Sequence, residues 1–289
     1  MNFAGSIEWP SAADPIWRLN WRLSGDPEGL VITHAFFRGR RVFWKASLPS
    51  LRVQYDQGCG PYKDPLTSGN MQLSSRCPGA PICTYSYVSQ GLRALVVQSY
   101  HEIGWYRLTQ RWVFWEDGVV MPRLYSAGLQ CDGDHRHHAY WRFDFDLDGF
   151  PSDLAFEFNQ GAGNVGWGPG WSPILTEDAR VKNPATNRTW AVMDKGTGLG
   201  YHVIPGQFDG HVDDFARRDL WVTRYRGAED RHGNQGSAEG DRIDDDLNEE
   251  STDGQDVVVW YCGHLLHEHH AGGDEWHHVG PDLVPFGPW

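Results

Sequence analysis

Long apolar runs are missing from this sequence of 289 residues. None approaches the length that spans a membrane, and the N-terminal MNFAGSIEWPSAADPIW lacks the basic and apolar regions of a secretory signal. Basic residues are also in deficit: 25 Lys and Arg stand against 38 Asp and Glu, for a net charge of −13. This balance argues against a phosphate-binding surface. We therefore expect a cytoplasmic protein with no membrane or nucleic-acid partner, suited to a neutral or cationic small molecule.

Cysteine is scarce, with five residues, an odd number, and no C-x-x-C spacing. That pattern excludes a complete disulfide framework and gives no support to a zinc ribbon. One pair, for instance Cys77 with Cys83, remains open. We expect free thiols in a reducing compartment, and Cys262 is either a packed thiol or a redox neighbour of the histidines that follow it.

Long heptads and amphipathic helical patterns are absent too, whereas the 15 tryptophans sit in short alternating runs. Glycine, proline or Asp-Gly separates the runs, and EDG at 116–118 is typical of a hairpin. We predict an all-β fold, a large antiparallel β-sandwich, with an N-terminal extension at 1–16 and a single domain at 17–289. The runs are WRLNWRL, GLVITHAFF, RALVVQSYHEIGWYRLTQRWVFW, LAFEFN, TWAVM, RDLWVTRY and DVVVWY.

Two segments interrupt this pattern. NQGAGNVGWGPGWSP at 159–173 is a glycine-rich loop that lacks the lysine and the helix of a phosphate-binding loop, so no nucleotide role is predicted. The acidic stretch at 226–256 has few aromatic residues and is predicted to be an exposed loop.

The run DHRHHAYWRFDFDLDG at 134–149 carries the first chemical signal. Alternate residues of a strand share a face, so His135 and His137 lie on the face of Trp141 and Phe143. A third histidine from another inward-facing strand, His267 or His269, would complete a three-histidine metal site. The spacing fits copper and zinc equally. In the C-terminal run, His264 and His270 fall on the opposite face.

Several collinear segments match one known pattern. SLPSLRVQYD is similar to S-L-S-E-M-V-V-P-Y-G, ARRDLWVTRY to K-x-L-W-V-T-x-Y, DVVVWYCGHLLH to D-V-V-V-W-Y-T-x-G-x-x-H, and HHVGPDLVPFGPW to E-H-V-G-F-x-L-x-P-x-G-F-F. With these segments the chain resembles the copper amine oxidases, the topaquinone-containing family, over their C-terminal catalytic β-sandwich. The family's additional N-terminal domains have no counterpart in this sequence.

The resemblance implies two metal sites. His135 and His137 match the family's H-x-H copper pair, and His267 matches the third copper ligand, which favours copper over zinc. Asp144, Phe145 through its backbone carbonyl, and Asp146 match the residues that hold a second, calcium-like ion. The alternative for the second set is an exposed acidic strand face.

The resemblance also assigns the cofactor position. Tyr106 matches the tyrosine that copper and dioxygen oxidise to topaquinone, but Trp105 and Arg107 replace the Asn and the acidic residue that flank it in the family. Tyr55 matches a tyrosine that contacts the quinone. The aligned position of the general base is Thr67, which cannot act as a base, so Asp64 takes the role or standard amine oxidation is lost.

Three functions follow from these assignments. The first is a copper-dependent oxidase that uses dioxygen on a small molecule, for instance in a biosynthetic pathway, without forming the quinone. The second is a topaquinone primary-amine oxidase that yields aldehyde, ammonia and hydrogen peroxide. The third is a non-catalytic copper-binding scaffold. The resemblance further implies a homodimer with shortened arms.

Overall fold

The computed structural model describes residues 2–73, 77, 80–162, 168–229 and 242–289. The described residues form β-strands and short 3-10 turns, and they include no helix long and apolar enough to cross a membrane. In chain order the strands are β1 (Phe3–Trp9), β2 (Trp17–Leu23), β3 (Val31–Phe37), β4 (Arg40–Tyr55), β5 (Tyr62–Lys63), β6 (Ile82–Ser89), β7 (Leu92–Ile103), β8 (Tyr106–Trp115), β9 (Val120–Ala127), β10 (His135–Phe145), β11 (Asp153–Phe158), β12 (Trp171–Ile174), β13 (Asp178–Arg180), β14 (Thr189–Asp194), β15 (Gly200–Ile204), β16 (Leu220–Arg224), β17 (Val257–His267), β18 (His277–Val279) and β19 (Asp282–Phe286). The 3-10 turns are Phe150–Ser152, Pro184–Thr186, Gly227–Glu229, Arg242–Asp246 and His269–Ala271.

These strands form two antiparallel sheets. The first has the order β1-β2-β3-β4-β10-β17-β16-β13, with β5 added beside β4. The second has the order β12-β11-β14-β15-β19-β9-β8-β7-β6, with β18 added beside β9. In the first sheet β10 lies between β4 and β17, so both of its edges are hydrogen-bonded. The predicted all-β antiparallel sandwich is confirmed.

The alternating aromatic residues form the core between the sheets. Trp141 of β10 meets Trp112 of β8 edge-to-face, with ring centroids 5.3 Å apart, and both side chains are fully buried. Such an aromatic pair contributes about 0.5–1.5 kcal/mol beyond the apolar area that it buries. Phe143 packs on the same side of β10. The histidines that share the parity of these aromatic residues therefore face the space between the sheets.

Hairpins divide the longest alternating run. The predicted EDG turn lies between β8 and β9, as expected. The run from Arg93 to Trp115, read from sequence as continuous, is in fact two strands joined at Gly104 and Trp105. Gly104 has φ = 57°, a left-handed conformation that suits glycine. This turn makes Tyr106 the first residue of β8.

The expectation of free thiols was wrong for Cys59 and Cys131, which are bonded to each other. The pair of Cys77 with Cys83, which the sequence left open, is present. The first pair forms because Cys59 follows β4 and Cys131 precedes β10, and the antiparallel register of those strands brings the two loops together. Cys262 is buried and takes no part in either disulfide.

Two other predicted segments are seen in part. β1 lies within the predicted extension and pairs with β2 along its whole length, while the division into 1–16 and 17–289 stays a prediction. The glycine-rich segment ends in β12, and its residues 163–167 lie outside the described residues. Residues 230–241 of the acidic segment also lie outside them, and 3-10 turns flank that gap.

Candidate metal and redox site

The strand register assembles a histidine cluster between the sheets. His135 of β10 lies directly opposite His267 of β17, and His137 follows two residues later on the same face. The Nε2 atoms of His135 and His137 are 3.1 Å apart, and the ring centroids of His135 and His267 are 4.9 Å apart. All three side chains are fully buried. The structure thus brings together the three histidines predicted from sequence.

Two tyrosines lie against this cluster. The hydroxyls of Tyr55 and Tyr106 are 2.5 Å apart, and both side chains are buried. The Tyr55 ring stacks on His135 at 4.5 Å, and the Tyr106 ring meets His137 edge-on at 4.7 Å. The backbone N–H of Gln130 donates to the Tyr55 hydroxyl at 2.8 Å. Tyr106 is therefore in ring contact with two of the histidines, and Tyr55 links it to the protein backbone.

The histidine cluster is electrostatically suited to a cation. Burial lowers the pKa of His135 to about 3 and that of His137 well below its usual value, and neighbouring imidazoles add to both effects. Both rings are therefore neutral at pH 7, the form that binds metals. The Nδ1 atoms of His135, His137 and His267 are buried without a hydrogen-bond partner. The converging Nε2 atoms of His135 and His137 and the unpartnered Nδ1 of His267 fit a metal ion that the three imidazoles would hold.

The third position of the cluster belongs to His267 rather than to His269. His269 lies in the 3-10 turn after β17, where its ring is about half exposed and faces Asp132. The Nε2 atom of His267 lies 2.9 Å from the Gly272 carbonyl, which leaves Nδ1 as the nitrogen with no partner. His270, 80% exposed, is also outside the cluster.

A fourth histidine was missed from sequence. His277 of β18 pairs with Ser126 of β9, and its ring centroid is 4.4 Å from that of His267. Its Nε2 is buried without a partner. The Ser126 hydroxyl in turn lies 3.2 Å from His137 Nε2. The HH pair at 277–278 was visible in the sequence, but only the β9–β18 pairing assigns His277 to the cluster.

Asp64 is the carboxylate that the sequence offers as general base in place of Thr67. Its side chain is 5% exposed, one of its oxygens is buried without a partner, and burial raises its pKa to about 7. The pKa of Tyr106 is raised by burial, by its hydrogen bond to Tyr55 and by the charge of Asp64. At Thr67, the aligned position, the hydroxyl accepts from the Gly69 N–H and the backbone N–H donates to Asn70 Oδ1. Asp64 is therefore poised to exchange a proton near neutral pH.

An open cleft of about 540 Å³ leads to Tyr106. Trp105, 71% exposed, and Arg107 line it. Arg107 donates to the Gly273 carbonyl and, at 3.0 Å, to Asp274, which fastens the loop before β18 across the cleft. The two residues that depart from the family motif thus lie at the entrance rather than against the histidines.

The carboxylates predicted for a second ion lie close together, while the ion site itself stays a prediction. Asp144 of β10 and Asp146, just after that strand, are buried on the side opposite the histidines and line a cleft of about 270 Å³. Phe145 turns its ring into the core, which leaves only its backbone for a ligand. Arg41 donates to Asp146 at 2.5 Å. The alternative of an exposed acidic face was wrong.

Sequence reasoning missed Asp256, which lines the same cleft. Burial and then the charge of Asp146 raise the pKa of Asp256 to about 6, and its Oδ1 is buried without a partner. Asp256 immediately precedes β17, the strand hydrogen-bonded to β10, and this adjacency explains the convergence. A raised carboxylate pKa next to another carboxylate fits a site for a hard cation.

The fold is that of the amine oxidases. The chain aligns with the copper-containing benzylamine oxidase of Hansenula polymorpha (TM-score 0.72, 16% identity, 94% of this chain and 59% of that chain). It aligns similarly with the Aspergillus nidulans amine oxidase (0.75, 16%, 94% and 50%) and with the Pichia pastoris lysyl oxidase (0.68, 17%, 94% and 52%). No family model and no curated protein matches the sequence. The chain spans 50–59% of the length of these three structures, and at this identity the likeness establishes a shared β-sandwich fold.

Proposed function

We propose that this protein is a copper-dependent oxidase that uses dioxygen to oxidise a small molecule. The observation that carries the proposal is the contact of the Tyr55–Tyr106 hydroxyl pair with the rings of His135 and His137. His135, His137 and His267 would hold the copper, which supplies one-electron chemistry with dioxygen when bound. A buried phenol beside such an ion is suited to act as a redox group or hydrogen-bond donor.

The residues around Tyr106 have separable roles in this proposal. Tyr55 fixes the Tyr106 hydroxyl and packs against a histidine, so it orients both groups. The cleft behind Trp105 and Arg107 admits the substrate, and the acidic surface attracts a cationic one. Burial of the histidines excludes water from the metal.

Asp64 favours a second candidate function, the oxidation of a primary amine by a quinone formed from Tyr106. That reaction removes two hydrogens from the amine, converts dioxygen to hydrogen peroxide and, with water, releases aldehyde and ammonia. It needs a base to take the proton from the carbon beside the nitrogen. A buried carboxyl with a pKa of about 7 that acts electrostatically on Tyr106 meets this need.

One experiment separates the candidates. The protein is loaded with copper in air, then tested for visible quinone absorption, reaction with phenylhydrazine, and oxygen uptake with a panel of amines and other small molecules. Quinone with amine turnover supports the second candidate, and oxygen uptake without quinone supports the first. Copper binding without quinone formation or oxygen uptake would contradict both candidate functions and favour a non-catalytic copper-binding scaffold. A His137→Ala variant that binds copper as tightly as wild type would contradict the proposed ligands.

Homodimerisation and localisation remain proposals of their own. Sedimentation of the copper-loaded protein tests the dimer. The cytoplasmic expectation came from the N-terminal sequence and from the lack of a long apolar run, whereas the two disulfides are typical of an oxidising compartment. Thiol labelling of the protein in its native cells distinguishes these compartments, because reduced Cys59 and Cys77 would support the cytoplasm.

A further inference from the structure

A second cluster of metal-binding side chains lies on the other face of the same two strands. His138 of β10 is directly opposite His264 of β17, and Cys262 lies two residues before His264 on the same strand. Because strand residues alternate, these three side chains point away from His135, His137 and His267. All three are fully buried.

Their ligand atoms already converge. The Nδ1 atoms of His138 and His264 are 2.8 Å apart, and Cys262 Sγ is 3.8 Å from His264 Nδ1. One imidazole nitrogen from each of His138 and His264 and the sulfur of Cys262 all lie within 4.8 Å of one another. Nitrogens at 2.0–2.1 Å from a tetrahedral ion are about 3.4 Å apart, so small ring rotations would admit an ion.

Carboxylates lie behind both imidazoles. His264 Nε2 is 3.3 Å from Asp219 Oδ1, and His138 Nε2 is 3.7 Å from Asp213 Oδ2. The backbone N–H of Lys182 donates to Asp219 at 2.8 Å, and its ammonium lies 3.4 Å away. Neither Nε2 atom has a hydrogen-bond partner in this geometry, and a small rotation of each ring would let its Nε2–H donate to the carboxylate behind it, as in metal sites where an acid orients a ligating histidine.

With both protons on Nε2, the two Nδ1 atoms would be acceptors that face each other at 2.8 Å, and this contact requires a cation or a shared proton between them. The adjacent thiol supplies a third, soft donor on the same side. We propose that His138, Cys262 and His264 bind a thiophilic metal ion, Zn²⁺ or Cu⁺, distinct from the ion at the first histidine cluster.

A surface cleft lies beside this site, next to β4 and β10. Phe215 packs on the ring of His138 at 5.4 Å and, with Asp213 and Asp214, lines a cleft of about 560 Å³. The site does not depend on the proposed oxidase function.

Cobalt(II) tests the proposal in the full-length protein, because a thiolate bound to Co²⁺ gives a near-ultraviolet charge-transfer band that imidazole ligands lack. We expect this band in the wild type and in His135→Ala, which alters only the first cluster. It should be lost in Cys262→Ser, with one ion fewer per chain by elemental analysis. Displacement of the band by Zn²⁺ or, under anaerobic reduction, by Cu⁺ identifies the preferred ion.

Folding controls keep the test decisive. Cys262→Ser is nearly isosteric, and far-ultraviolet circular dichroism with thermal melting checks its fold. His138→Gln, which keeps the thiol, should weaken Co²⁺ binding at this site by at least tenfold. No band in folded wild type, or a band that survives in Cys262→Ser, would overturn the proposal and leave a proton shared between His138 and His264. Copper binding at the first cluster is unaffected by either result.

Discussion

The hydroxyl of Tyr55 lies 2.5 Å from that of Tyr106; the Tyr55 ring contacts His135, and the Tyr106 ring contacts both His135 and His137. This relationship couples the candidate redox residue to the candidate metal ligands through one hydrogen bond and three ring contacts. Removal of either hydroxyl should therefore have a distinct effect.

Tyr106→Phe should abolish oxygen uptake and any quinone absorption while copper stoichiometry stays unchanged, since the ring is kept and no ligand is lost. Tyr55→Phe should retain chemistry but slow it by roughly ten- to a hundredfold, because a buried hydroxyl and the Gln130 N–H lose their partner at a cost of about 1–3 kcal/mol. Oxygen-electrode assays with copper analysis check both. Full activity in Tyr106→Phe would remove Tyr106 from the reaction.

Asp64 should set the pH dependence of the reaction. A base must be deprotonated, so kcat/KM should rise with an apparent pKa near 7 in wild type and lose that limb in Asp64→Asn. Ionisation of Asp64 should increase activity but decrease the stability of the folded protein. Because folding raises the pKa of Asp64 above its unfolded value, ionisation opposes folding, and Asp64→Asn should gain stability over wild type as pH rises from about 4 to 7. Denaturant titrations at both pH values test this.

Substitution of His267 should weaken copper binding, whereas substitution of His269 should not. Partner groups behind a ligand are worth 10–100-fold in affinity, so loss of a direct ligand in His267→Ala should weaken copper binding by at least about a hundredfold. His269→Ala, at an exposed turn, should leave affinity within about twofold. Competition titrations with a chelator measure both. An equal loss of copper affinity in the two variants would contradict the assignment of His267 as the third ligand.

The spacing of histidines in the sequence predicted much of the first cluster, because side chains alternate between the two faces of a strand with a period of two residues. Two residues of separation put His135 beside His137, and the parity of DVVVWYCGHLLH aligned His267 with the core. His277 and Asp256 were missed because tertiary pairing, not periodicity, brings them in. The turn at Gly104 was hidden within an unbroken apolar pattern, and Cys59 and Cys131 are 72 residues apart in sequence.

The two disulfides should differ in their contribution to stability. They close chain segments of 72 and 6 residues, and loop-closure entropy predicts about 4 kcal/mol for Cys59–Cys131 and about 2 kcal/mol for Cys77–Cys83. The double variants Cys59→Ser/Cys131→Ser and Cys77→Ser/Cys83→Ser should follow that order in urea denaturation. A smaller effect for the longer loop would indicate that the unfolded chain keeps these two segments together.

The carboxylate cleft should respond to calcium. Asp144, Asp146 and Asp256 converge on it; burial and then the charge of Asp146 raise the pKa of Asp256, and a bound cation would oppose both effects. Calcium at a hundred times its dissociation constant should add about 2.7 kcal/mol of stability. Asp256→Asn should lose most of this gain, whereas Asp14→Asn, at an exposed position, should keep it. Calcium-dependent melting curves of the three proteins decide the matter. An equal response in all three would mean that the Arg41–Asp146 ion pair already neutralises the cleft and that calcium acts elsewhere.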